Sequence, residues 1–242
     1  RTHPEKTLCF SKQSHGRLDR AIITMLTSPM EKQALEFLRV YLISDRMRVG
    51  KSQFLTAVEE ALQGGIRALQ IREKDLASKD LLALAREVKT LTQRYNAKLF
   101  INDRADIAVM AGADGVHLTE ASVQTCEVKN NFPDLIVGVS THSLEGARLA
   151  ETQGADFITF SPIYDTPSKA GYGSPQGLSL LRQVTQAVHL PVLALGGITL
   201  HRVSECLQQG AFGVAMISDI WDSTYIKQQS SEYIQNFGGD IE

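Results

Sequence analysis

"QGADFITF", Gln153 to Phe160, is the stretch from which the fold can be read. Its first residues end an amphipathic run, "SLEGARLAETQGA", whose apolar spacing is helical. Glycine supplies the left-handed conformation that stops a helix, and a β-rich run follows at once. The same junction recurs as "QGGIRALQ" (63–70), "AGADGVHL" (111–118) and "QGAFGVAM" (209–216). A helix that ends on glycine and turns tightly into a strand, written several times, is an internal repeat of one βα unit.

Outward from these junctions the text becomes rhythmic from about Val40. The β-rich runs are "VYLISD", "ALQIRE", "KLFIND", "GVHL", "LIVGVS", "FITFSP", "VLALGG" and "GVAMIS". Amphipathic stretches such as "KSQFLTAVEEALQGG", "SKDLLALAREVKTLTQRYN" and "LHRVSECLQQGA" lie between them. Eight strands alternating with helices predict an α/β fold, a single closed (β/α)8 TIM barrel. The rival is a doubly wound open sheet. It usually has fewer strands and a glycine-rich phosphate loop after the first, which "LISDRMRVGKS" does not supply. Residues 37–242 are read as the barrel domain. Residues 1–36 lack clear periodicity and are read as an N-terminal extension, disordered or vector-derived.

The bulk numbers exclude several function classes. With 43% hydrophobic and 21% charged residues over 242 positions, the chain can bury a large core. A formal net charge of −2 leaves no electrostatic footprint for nucleic acid or an anionic membrane. No apolar run reaches the ~18–20 residues that span a bilayer. The apolar part of "RLDRAIITMLTSPM" is too short for a signal peptide. Cys9, Cys126 and Cys206 are far apart and odd in number, which fits a reducing cytoplasm better than a disulfide framework. Oligomeric state is left open, a homo-oligomer included.

In such barrels chemistry gathers where strands end and βα loops begin. In "ALQIREKD" (68–75), a period of two puts Gln70, Arg72 and Lys74 on one face, with Leu69 and Ile71 on the other. An amide and two cations side by side form a cradle for a phosphate or diphosphate. The structural alternative is an ion-pair network, for instance with Asp103. Asn102 and Asp103 close the third strand; Asp103 is a candidate Mg²⁺ ligand or, alternatively, a helix cap. Ser140 and His142 follow the fifth strand, and His142 is a candidate for proton transfer. His117, within "GVHL", reads as a core residue. "YDTPSKAGYG" (164–173) reads as a lid carrying Thr166, Ser168 and Lys169. Gly196 and Gly197 end the seventh strand, and Ile217 and Ser218 the eighth. These two tips suit a phosphate monoester: glycine admits close approach, and Ser218 can cap the following helix.

As a set, "QIREK", "INDRADIAVMAGADGVHL", "GVSTHS", "SPIYDTPSK", "LALGGI" and "GVAMIS" resemble the thiamine phosphate synthase/TenI family over the whole barrel. The resemblance implies an enzyme that joins a pyrimidinylmethyl diphosphate to a thiazole phosphate, releasing pyrophosphate with Mg²⁺. By the same resemblance, Gln70, Arg72 and Lys74 would hold the diphosphate and pyrimidine. Asn102 would touch the diphosphate, and Asp103 would ligate the metal. Ser140, Thr166, Ser168 and Lys169 would gather around the substrates and the departing pyrophosphate, and Gly197, Ile217 and Ser218 would seat the thiazole phosphate. The implied partners are phosphorylated small molecules.

One position departs from the family. Its synthases carry a second metal-binding Asp soon after the fourth strand, where "HLTEAS" has Ser122, with Glu120 in place of a Gln. That departure raises an alternative, a TenI-like thiazole tautomerase with His142 as acid/base. Two further readings are a class I aldolase using Lys169 or Lys74, and a phosphate-ligand sensor without turnover.

Overall fold

The computed structural model describes residues 35–165 and 175–238. Thr166, Ser168 and Lys169, like the segment before Leu35, lie outside the described residues. The parallel strands are β1 (Val40–Ile43), β2 (Ala68–Ile71), β3 (Lys98–Asn102), β4 (Gly115–Leu118), β5 (Ile136–Thr141), β6 (Phe157–Phe160), β7 (Val192–Leu195) and β8 (Gly213–Met216). They form one closed barrel in chain order, sealed where Val40 pairs with Val214. The expected (β/α)8 barrel is what the chain folds into.

The helices are α1 (Arg46–Val49), α2 (Phe54–Gln63), α3 (Ser78–Arg94), α4 (Ala105–Ala111), α5 (Thr125–Asn131), α6 (Leu144–Thr152), α7 (Gly177–Ala187), α8 (Val203–Gln208), α9 (Ser218–Trp221) and α10 (Ile226–Gln235). In α3 the buried residues Leu81, Ala85, Val88 and Leu91 recur at helical spacing and form the inward stripe. None of the described helices is long and apolar enough to cross a membrane.

Alternation along each strand separates two cores. Val40, Leu42, Leu69, Ile71, Leu99 and Ile101 point outward into the layer under the helices. Tyr41, Ala68, Phe100, Phe157, Leu193 and Ala215 point inward. The rings of Tyr41, Phe100 and Phe157 interlock edge-to-face with centroids 5.3–5.5 Å apart. They leave no room for neighbours. A Cβ at Gly115 would stand 2.5 Å from Phe100, and one at Gly138 would stand 2.4 Å from Phe157. Large rings on some strands therefore require glycines on the adjacent ones. A 3-10 turn (Glu36–Arg39) closes the floor, with Leu38 fully buried and Arg39 donating to the Phe212 carbonyl at 2.7 Å.

The repeated junctions have a common geometry. Gly65, Gly112, Gly154 and Gly210 all sit at positive φ. The acid two residues after the glycine, where present, then pins the neighbouring strand. Asp114 accepts from the Leu99 N–H at 2.9 Å and pairs with Lys89 and Lys98. Asp156 accepts from the Val137 N–H at 2.7 Å and pairs with Lys129. Burial pushes the Asp114 carboxyl up, but the Leu99 N–H and the two lysines outweigh it and hold it below the usual range. Its stabilising effect is therefore complete above the ordinary carboxylate pKa of ~3.9 and disappears as pH falls through the depressed value. Asp114→Ala should cost about 2 kcal/mol in urea denaturation at neutral pH. The gap from the unsubstituted protein should narrow as pH falls below the ordinary carboxylate pKa of ~3.9.

Candidate functional site

The site forms where the inward faces of the strands emerge above the aromatic plug. Gln70 is the last inward residue of β2, 1% exposed, and its Nε2 has no hydrogen-bond partner among the described residues. Next to the plug, His117 links a row of hydroxyls. Tyr41 Oη lies 3.2 Å from Nδ1, and Ser140 Oγ and Thr159 Oγ1 lie 3.1 and 3.4 Å from Nε2. Burial, helped by the positive charge of Arg72, pushes the His117 pKa down to about 3, so the imidazole is neutral. A neutral ring has one N–H and one lone pair, so it donates on one side and accepts on the other.

Arg72 is the first residue beyond β2 and is half-buried. β2 ends at Ile71, so Arg72 and Lys74 stand on the loop after the strand rather than within it. The loop is fixed by its alternate residues. Ser44 Oγ accepts from the Arg72 N–H at 2.8 Å and donates to Glu73. Glu73 also accepts from the Arg46 N–H at 3.1 Å, and the Arg46 guanidinium bridges Glu73 and Asp75. Burial pushes the Glu73 carboxyl up, while Ser44 and Arg46 oppose the shift. The ion-pair network considered for Arg72 and Lys74 thus exists, but on Glu73, Asp75 and Arg46. Among the described residues no carboxylate pairs with Arg72 or Lys74.

At the tip of β3, Asp103 has φ +64°, a conformation uncommon outside glycine, held by its N–H to the His117 carbonyl at 2.9 Å. Its carboxylate accepts from Ser122 Oγ. The capping alternative for Asp103 is not realised: Arg104 holds the cap position of α4, with no side-chain bond. Asn102, half-buried, ends β3 opposite His117. Glu120 does not compensate for Ser122. A Cβ on Gly146 would stand 3.6 Å from Glu120 Oε1, which places that carboxylate beside α6.

After β5, His142 Nδ1 lies 2.7 Å from the Ser161 carbonyl. A carbonyl only accepts, so Nδ1 carries the proton and Nε2 the lone pair.

The tips of β7 and β8 correct one expectation, the capping by Ser218. Gly196 and Gly197 have φ of +101° and +65°, and Cβ atoms there would meet Pro162 and Tyr164, each at 2.8 Å. The segment after β6 packs against these glycines and leaves no room for side chains. Arg202 lies over the Tyr164 ring and donates to the Gly197 carbonyl at 2.7 Å. Ser218 is exposed and is the first residue of α9; Ile217 holds the cap position, so Ser218 does not cap the helix. Ile217 packs against the inner core.

Sequence reasoning passed over Tyr41, Ser44 and Thr159. The signal was available: period-two reading of "VYLISD" and "FITF" puts Tyr41 and Thr159 inward, as it did Gln70.

Comparison with known proteins agrees with the fold. The family model described as thiamine monophosphate synthase matches residues 40–220. A Geobacter sulfurreducens relative, provisionally named a thiamine-phosphate synthase, is 50% identical over 182 residues, 75% of this chain and 85% of its own. The thiamine-phosphate synthase of Roseiflexus castenholzii is 37% identical over 75% of this chain and 80% of its own. The solved thiamine phosphate pyrophosphorylase of Pyrococcus furiosus superposes with a TM-score of 0.76 at 32% identity, covering 83% of this chain and 95% of that one. With all eight strands inside the residues matched, the chain belongs to the thiamine monophosphate synthase family.

Proposed function

We infer that the chain is a thiamine-phosphate synthase, a transferase coupling a pyrimidinylmethyl diphosphate to a thiazole phosphate. The observation that carries this reading is Arg72, whose backbone N–H is fixed by Ser44 just beyond β2 and whose half-buried side chain has no acidic partner among the described residues. A half-buried cation of this kind is suited to an anionic ligand. The relatives named for the synthase favour this activity over the tautomerase.

The chemistry needs only one bond broken and one made. The C–O bond between methylene and diphosphate opens, and its electron pair leaves on the pyrophosphate oxygen. Arg72 and Lys74 stabilise that charge, with Lys169 assigned to the same task by the family resemblance. The thiazole nitrogen then gives its lone pair to the methylene carbon, with both partners held in line. No proton moves, so His142 has no acid/base task in this reaction. Neutral His117 adds no competing charge, and it holds Ser140 at the cavity wall. Gln70 and Asn102 supply amides for the pyrimidine and diphosphate, and the tips at Gly197, Ile217 and Ser218 take the thiazole phosphate.

Mg²⁺ fits this donor set through Asp103 alone, an exposed carboxylate at a strand end, since Mg²⁺ commonly uses one or two carboxylates plus substrate phosphates. When bound it would add positive charge to the leaving diphosphate. We place the reaction in the cytoplasm, where Cys126 and Cys206, unpaired in the fold, would stay reduced.

Incubation with both substrates and Mg²⁺ should give thiamine phosphate and pyrophosphate in equal amounts; no product beside an active control refutes the reading. Arg72→Ala should lower kcat by about 100-fold, while His142→Ala should stay within about threefold of the unsubstituted protein.

A further inference from the structure

The residue standing where the family's second acid is expected has a definite role in this fold. Ser122 donates its single proton to Asp103 Oδ1. With that proton committed, its oxygen accepts from the Thr119 N–H at 2.8 Å and from the Thr119 hydroxyl at 3.0 Å. A serine hydroxyl has one proton and two lone pairs, so its hydrogen-bonding capacity is full. Ser122 has nothing left to offer a metal. Glu120 is directed towards α6, and the described residues contain no group of three or more His, Cys, Asp or Glu that could hold an ion.

Electrostatics points the same way. The cations after β2, Arg72 and Lys74, have no acidic partner among the described residues, and the His117 carbonyl holds Asp103 in place. A bare divalent ion at Asp103 finds a carboxylate whose hydroxyl partner Ser122 is already saturated, while the loop after β2 adds the positive charges of Arg72 and Lys74. A divalent ion already bound to a diphosphate is a net anion and meets attraction instead.

We propose that this protein takes its divalent cation through Asp103 alone and only as a cation–diphosphate complex, with Ser122 orienting the carboxylate rather than ligating the metal. The proposal rests on the synthase reading for the identity of the diphosphate, but its test needs no turnover.

Mn²⁺ binding to the full chain, followed by electron paramagnetic resonance with and without inorganic pyrophosphate, decides it. Without pyrophosphate, saturable binding should be absent up to about 1 mM Mn²⁺; with pyrophosphate, the protein should capture the complex at least about tenfold more tightly. Asp103→Asn should abolish that capture. Ser122→Ala should keep it within about threefold, because a hydrogen-bond partner is lost and not a ligand. Ser122→Asp should bind Mn²⁺ without pyrophosphate; if that variant does not fold, Ser122→Ala decides alone. Equal Mn²⁺ affinity with and without pyrophosphate, or a loss of about tenfold or more in Ser122→Ala, overturns the proposal. Pyrophosphate-dependent binding in a protein that makes no thiamine phosphate would discard the synthase reading and keep the cation site. Turnover with capture unaffected by Asp103→Asn would do the reverse.

Discussion

A closed barrel must fill its own interior, and here three interlocked rings do so. Tyr41, Phe100 and Phe157 occupy the centre so fully that two adjacent inward positions, Gly115 and Gly138, must lack side chains. This plug sets the depth of everything above it. Polar inward residues cannot sink past the rings, so Gln70, His117, Ser140 and Thr159 form a layer at the mouth. Tyr41 belongs to both levels: its ring packs in the plug, and its hydroxyl meets His117.

The second constraint is a division of charge. In Arg72–Glu73–Lys74–Asp75, alternate residues serve different purposes. Glu73 and Asp75 are consumed by Arg46, while Arg72 and Lys74 are left without acidic partners among the described residues. Burying Glu73 is costly and is offset by Ser44 and Arg46. The result is a pinned loop that leaves two cations uncommitted just beyond β2. Fixed donors of this sort stabilise developing anionic charge without having to reorganise as the reaction proceeds.

The fold was legible because its signals are local and repeated. The glycine junctions at Gly65, Gly112, Gly154 and Gly210 and the alternation of apolar runs require no knowledge of distant contacts. The inward direction of Gln70 followed from the same periodicity. What could not be read was which partner each polar group would find. Glu73 and Arg46 are 27 residues apart in sequence and meet only because β1 and β2 are neighbours. The packing of Pro162 and Tyr164 against Gly196 and Gly197 could not be read either, because those residues come from another strand's end. Asp103 and Ser218 both looked like helix caps, since short polar residues before apolar runs usually are; here the chain puts Arg104 and Ile217 in those places.

The central claim is that the Arg72 side of the mouth receives a diphosphate above the aromatic plug. A crystal structure of the protein with pyrophosphate and Mn²⁺ tests it directly, because the anomalous signal of the metal fixes its position independently. Pyrophosphate density against the Arg72 guanidinium, with the metal bridging it to Asp103, is the expected result. Pyrophosphate bound away from the strand tips, with Arg72 turned outward against a helix, would contradict the account.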